Sequence, residues 1–293
     1  LFSGRLLRVR PAKEMFNKYV FYWVSQQQVK EYVRKIAVGA TMPSINTDLL
    51  SQLPISFPPL PEQKAIAAIL SSFDDKIELL RRQNKTLENI AQAIFKEWFV
   101  NFKVNGKKLK INSKTSLPEG WRMGKYGELA DVTTGKGLKQ EFIKEKGKYS
   151  ILGANGELGK TDSYLFDEDL ILTGRVGTLG TIYISRGKTW ISDNVLISKP
   201  LFAESFYFVY FNLKKCNFES LNRGSTQPLI TQTDLKNVEI IIPQKEVLES
   251  WHNVVSSLFF KIYNNDFQIQ TISKLRDALL PKLMRGEIRI TGL

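Results

Sequence analysis

Three glycine-punctuated basic segments carry the residue types that hold a polyanion. The first is Thr133-Thr-Gly-Lys136-Gly-Leu-Lys139, followed by Lys144, Lys146 and Lys148. The second is Thr173-Gly-Arg175-Val-Gly-Thr178. The third is Asn222-Arg223-Gly-Ser225-Thr226-Gln227. Glycine lets a backbone approach phosphates closely. Lys, Arg, Ser, Thr and Gln supply donors and acceptors for phosphate oxygens and base edges. The candidate contacts are therefore Lys136, Lys139, Thr173, Arg175, Thr178, Arg223, Ser225, Thr226 and Gln227. Lys144–Lys148 read equally well as a solvated turn. The third segment aligns with Val38-Gly-Ala-Thr41-Met42, which adds Thr41 to the candidates. The same alignment supports a plainer reading, in which Gly224 and Pro228 shape a shared turn and only Arg223, Ser225 and Gln227 are free to read sequence.

Net charge points the same way. There are 42 Lys and Arg against 29 Asp and Glu, a balance of +13. Such an excess attracts nucleic acid and is rewarded by counterion release.

The residues of catalysis are scarce. His252 is the only histidine. It follows Trp251 at the start of a helical pattern, where a packing or surface role is expected. Without Cys or His companions it makes no zinc site, and a Ser-His-Asp or Cys-His arrangement has little to draw on. Gly174, Gly177 and Gly180 look like a phosphate cradle. Yet no Lys-Ser/Thr follows, and Thr181-Ile-Tyr-Ile reads as a strand rather than a helix, so both nucleotide fingerprints fail. No Asn/Asp-Pro-Pro-Tyr/Phe amino-methyltransferase signature is found; Pro58-Pro59-Leu60-Pro61 is a helix entry. No catalytic residue, metal or cofactor is expected. Cys216, the single cysteine, forms no internal disulfide, which fits a reducing cytosol. No apolar run nears the ~18 residues of a membrane span, and no signal-peptide pattern stands at Leu1.

The elements that position these segments come from a duplication. Residues 39–98 lie over 224–283 without a gap, 185 positions apart. Gly39, Thr41, Pro43, Ile45, Leu50, Ile55 and Pro58 match Gly224, Thr226, Pro228, Ile230, Leu235, Ile240 and Pro243. The period is far too long for a solenoid repeat. It marks a repeated module of globule plus helix, suited to a bipartite target. Leu117-Pro118-Glu119-Gly120-Trp121 opens the better-preserved globule after a polar Lys/Asn-rich stretch. Short β-like runs follow at Tyr149–Leu152, Leu170–Thr173, Gly180–Ile184, Val195–Lys199 and Val238–Ile242, with a helical stretch near 203–218. Residues 1–62 correspond to about 186–247, and within this sequence the first copy has no counterpart of Leu117–Ser185, so the first globule is expected to be incomplete.

Two long helices are predicted, from Gln63 to about Val100 and from Lys245 to about Met284. Positions 66, 70, 73, 77, 80, 84, 87, 91, 94 and 98, and the same positions 185 further on, form a/d heptad seams. Antiparallel pairing about an axis midway between positions 80 and 84 puts Asn84 opposite Asn265 and Leu80 opposite Ile269. The one polar layer then fixes register.

Together, the Leu117–Trp121 start, the Thr173–Gly180 segment, the Ile55-x-x-Pro-Pro-Leu-Pro-Glu-Gln63 exit and the duplication resemble the specificity subunit of a type I restriction–modification system. The resemblance covers nearly the whole chain. It implies an α+β protein in which globular target-recognition domains alternate with two long helices paired as an antiparallel coiled coil. The division is then 1–62 for the C-terminal part of a first recognition domain, 63–103 for a spacer helix and 104–116 for a linker. A second recognition domain at 117–243 and a second spacer helix with tail at 244–293 complete it. Implied partners are double-stranded DNA, two S-adenosylmethionine-binding modification (methyltransferase) subunits and ATP-driven restriction (translocase/nuclease) subunits, all in the cytoplasm. Two alternatives stand beside it: the recognition module of a fused restriction–methylation enzyme, and a coiled-coil adaptor that binds no DNA.

Overall fold

Proline sets where the first long helix begins. Pro58 and Pro59 hold the chain extended. Pro61, in the first helical turn, lacks only an N–H that would have had no intrahelical partner. The computed structural model describes residues 7–38, 44–177, 179–224 and 227–290. Helices α1 (Asn17–Ser25), α2 (Gln27–Ile36) and α3 (Thr47–Ser51) precede α4 (Leu60–Phe99). Strands β1 (Lys103–Val104), β2 (Lys107–Lys108), β3 (Arg122–Lys125), β4 (Ala130–Thr134), β5 (Tyr149–Gly153) and β6 (Gly156–Thr161) follow. Next come β7 (Phe166–Asp167), β8 (Leu170–Gly174), β9 (Ile182–Ser185), β10 (Lys188–Ile191) and β11 (Val195–Pro200). Helices α5 (Phe206–Lys215), α6 (Phe218–Leu221) and α7 (Gln232–Lys236), strand β12 (Glu239–Ile242) and helix α8 (Lys245–Met284) complete the order. The fold is thus α+β, with two long helices of 40 residues each.

The duplication is visible in the backbone. Both ends of α8 fall 185 positions after those of α4, and both ends of α7 fall 185 after those of α3. The turn ahead of each short helix shares one closing bond. Val38 N donates to Ser44 O at 2.9 Å, and Arg223 N donates to Leu229 O at 2.9 Å.

The chain divides into two compact units. One comprises Leu1–Thr86 with Lys261–Leu293, the other Leu87–Phe260. In the first unit α4 and α8 run antiparallel: Ile66 packs with Leu283, Asp74 pairs with Arg276, and Asn84 bonds Asn265. Its core gathers Tyr19, Tyr22, Ile66, Ala67, Leu70 and Leu283. Gln63, from the Pro-Glu-Gln exit, is fully buried. Its Oε1 accepts from Phe16 N at 2.8 Å, and its Nε2 donates to Glu14 O and Pro58 O, each at 2.9 Å. A buried amide with its hydrogen bonds met ties the helix entry to the preceding segment.

All described seam positions of both helices are buried or half-buried. Arg276 is the charged exception. It reaches Asp74 at 2.5 Å, and the Tyr22 hydroxyl donates to the same carboxylate at 2.6 Å. The polar layer differs from a symmetric amide pair. Asn265 Nδ2 donates to Asn84 Oδ1 at 2.8 Å, but Asn84 Nδ2 turns to Asp266 Oδ1 at 2.7 Å. Asn265 Oδ1 is left buried and unpartnered among the described residues.

The second unit holds two four-stranded sheets, ordered β6-β5-β10-β7 and β4-β11-β8-β9. Only β5 and β10 pair in parallel within them. Leu170, Leu172, Ile191, Val195 and Ile197 form the core between the strands. A second apolar cluster is aromatic: Phe95, Phe99, Phe208, Phe211 and Trp251 pack at centroid distances of 4.7–5.9 Å, Phe95 on Phe211 stacked and the other pairs edge-on or tilted. His252 stacks on Tyr207 at 5.6 Å, a packing role. The stretch expected as a plain linker carries a hairpin instead. Lys103 pairs with Lys108 across Asn105-Gly106, both in the left-handed region (φ 49° and 79°), the Asn-Gly turn that suits strand twist.

Candidate nucleic-acid interface

The ladder of the β4-β11-β8-β9 sheet brings the basic segments together. Thr134 ends β4 opposite Leu196, Val195 begins β11 opposite Gly174, and Thr173 of β8 faces Ile182 at the start of β9. Strand pairing therefore puts the loop after β4, the turn before β11 and the loop after β8 at one end of one sheet. The parallel pair β5/β10 ends beside them, since Ser192 N donates to Leu152 O at 2.9 Å.

Backbone bonds then stitch the loops. Lys136 N donates to Ile191 O at 2.9 Å, and Arg175 N to Asn194 O at 2.9 Å. Ile230 N donates to Arg175 O, and Gly177 N to Pro228 O, each at 3.0 Å. Gly135 is required by closeness: a Cβ there would lie 2.1 Å from Ile191 O. Gly224 is required more strongly, its Cβ falling 1.8 Å from Gln227 O. Asn222 Oδ1 accepts from Gly224 N and Leu229 N, each at 2.9 Å, and holds the third loop closed.

The side chains sort into three groups. Lys136, Lys139, Arg223 and Gln227 are exposed at this end. Lys139 lies 3.9 Å from Glu141, a loose surface pair. Arg175 is half-buried, and its Nε is buried without a hydrogen-bond partner among the described residues. Arg223 pairs with the buried Asp234, while its own side chain stays 67% exposed. Burial raises the Asp234 carboxyl, but Thr231's hydroxyl and N–H and the Arg223 guanidinium outweigh it, leaving the group below its usual range. Thr173 departs from expectation. It is fully buried within the sheet, because β8 is paired on both edges, by β11 and β9, and is buried on both faces. Thr41, Thr178, Ser225 and Thr226 lie outside the described residues. Lys144 pairs with Asp162 at 2.6 Å, as a solvated turn would.

Sequence reasoning missed the Ser192-Asp193-Asn194 turn, which joins the first two loops, and Asn155, whose side chain meets Thr181 at 3.3 Å. It also missed Trp190, whose Nε1 donates to Lys136 O at 2.8 Å. Their signal was a polar Ser-Asp-Asn and an Asn-Gly at strand ends; only their pairing with the basic loops exposes it. Among the described residues no Asp/Glu/His/Cys cluster is arranged to hold a metal, and no helix is long and apolar enough to cross a membrane.

Residues 2–89 and 118–272 match the family described as the type I restriction modification DNA specificity domain. The chain belongs to this family. A type I restriction enzyme MjaIX specificity subunit of Methanocaldococcus jannaschii is 31% identical over 97% of the chain and 72% of the relative. The HindI specificity subunit of Haemophilus influenzae is 25% identical over 98% of the chain and 81% of its own length. A crystal structure of a type I restriction–modification S subunit from M. genitalium shares the fold, with a TM-score of 0.60 at 22% identity. That match covers 92% of this chain and 73% of the other. The chain is thus a specificity subunit, a non-catalytic component of systems whose subunits assemble together and bind DNA.

Proposed function

We propose that this specificity subunit reads duplex DNA through the loop end of the β4-β11-β8-β9 sheet. The supporting observation is convergence. Three segments chosen by residue type, far apart in sequence, come to one sheet end: the first bonds Ile191 through Lys136 N, and the second bonds Asn194 through Arg175 N and Pro228, just after the third, through Gly177 N. The exposed side chains there are those suited to phosphates and base edges: Lys136, Lys139, Arg223 and Gln227. Arg175 adds an orphan buried donor, which a rearrangement onto a phosphate or base would satisfy.

In this reading, residues 117–243 are a target-recognition domain and 1–62 the C-terminal part of another. Residues 63–103 and 244–293 are the spacer helices, with Asn84 and Asn265 setting their register. The partners are two modification subunits and the restriction subunits, in the cytoplasm. DNA binding by the full chain to a duplex pool, measured from low to high salt, tests the interface. Affinity falling steeply with salt on every duplex, plus a preferred subset, supports it. No binding at low salt would leave the adaptor reading in its place.

A further inference from the structure

We propose that Asp234 is a positioning residue that aims Arg223 at a base edge, so that the 222–229 turn reads sequence while its repeat counterpart does not. The inference rests on the DNA-reading function above. The two turns share one closing bond: Val38 N reaches Ser44 O, and Arg223 N reaches Leu229 O, both at 2.9 Å; the return bond runs from Ser44 N to Val38 O in the first and from Leu229 N to Asn222 Oδ1 in the second. Each leads into a five-residue helix with a polar cap. Asn46 Oδ1 accepts from Leu49 N at 2.8 Å, and Thr231 Oγ1 accepts from Asp234 N at 3.2 Å. The side chains differ at several places, among them Asn222 against Ala37, and one difference supplies an ion pair. Where the second turn has Arg223 and Asp234, the first has Val38 and Leu49. The shared closing bond therefore forms in the first turn without an ion pair, and in the second Asn222 already braces the turn, so the pair is an addition to closure.

The geometry of the addition fits aiming. Asp234 is buried and already fixed by Thr231, whose N–H donates to Oδ2 at 3.1 Å and whose hydroxyl donates to the same oxygen at 2.6 Å. Arg223 contacts the other carboxylate oxygen through Nη2, while its side chain stays largely in solvent. One corner of the fork is anchored while the side chain as a whole stays 67% exposed. An arginine held this way loses less rotamer freedom when it meets a base, and arginine is the residue that grips guanine O6 and N7 with two bonds. Val38 is 66% exposed and offers no donor.

The test uses the full chain and duplexes carrying a randomised segment, with the preference at each base position read from selection. Wild type should show a defined set of preferred positions. Arg223→Val should erase one of them, lowering affinity for the best duplex about tenfold while sparing random duplexes. Asp234→Asn should erase the same position. In the Arg223→Val background it should cost nothing further. A merely electrostatic Asp234 predicts the reverse, since removing an acid beside DNA would tighten every duplex. A merely structural cap predicts uniform weakening in both backgrounds with preferences unchanged. Either result overturns the proposal. If Asp234→Asn does not fold, Asp234→Glu keeps the charge but moves the carboxylate by one methylene. It must then alter the preference at the Arg223 position, and an unaltered preference overturns the proposal. Wild type without any preference would instead remove the DNA-reading function itself.

Discussion

Asn265 donates its Nδ2 to Asn84 Oδ1 at 2.8 Å, and Asn84 passes its own amide to Asp266 at 2.7 Å. Asn265 is fully buried and its carbonyl is already unpartnered among the described residues. Asn84→Leu strips away its remaining partner and should destabilise the chain by about 1–3 kcal/mol. Asn84→Leu with Asn265→Leu should recover most of that loss. Urea midpoints of the three proteins check it, and a double variant no more stable than the single would dismiss the argument.

Arg175→Ala should weaken specific DNA binding by about 1–3 kcal/mol if the side chain meets a base edge. Titrations against base-substituted duplexes at two salt concentrations separate the cases. Equal loss on all sequences marks a phosphate contact, and no loss takes Arg175 off the reading surface.

Gly224→Ala forces a methyl against Gln227 O and opens the third loop. Because Gly224 sits at the surface end and outside the core, the variant should keep its thermal midpoint within a few degrees while losing DNA affinity. A large drop in midpoint with affinity intact would contradict the placement.

The Tyr22 hydroxyl is pushed above its ordinary value, first by burial and then by its hydrogen bond to Asp74. A raised folded value means that the folded state holds the proton more tightly than the unfolded chain. The stabilisation is complete below about pH 10, the unfolded tyrosine value, and declines as pH rises beyond it. The stability gap between wild type and Tyr22→Phe should therefore shrink above pH 10 and stay flat from pH 7 to 9. A gap that widened with alkalinity would reverse the sign.

Methyl transfer should require an added modification subunit. The full chain incubated with labelled S-adenosylmethionine and a duplex pool should incorporate no label. Incorporation by the chain alone would count against a non-catalytic role.

Much of the architecture was legible because it rests on periodicity. The heptad seam and the 185-residue offset delimited both long helices to within about three residues at each end, and they placed Asn84 opposite Asn265. Side-chain partners were less legible. Asp266 took the amide that symmetry assigned to Asn265, since a charged carboxylate outcompetes a neutral amide carbonyl as acceptor. Thr173 was a candidate by residue type beside Gly174, but it lies in a strand paired on both edges and buried on both faces. The hairpin at 103–108 was signalled by Asn105-Gly106 and overlooked because the surrounding lysines read as solvated linker. The Arg223–Asp234 pair has no sequence pattern of its own, as its two residues meet only when the turn folds.

The ladder pairs Thr134 with Leu196 and Gly174 with Val195, and there the dry part of the sheet stops. Beyond those rungs, change at Lys136, Asn194 or Gln227 removes no core contact. A lineage can therefore rewrite what it recognises by small steps at one rim while the interior stays untouched, and an engineer can randomise the same rim without refolding the protein around it.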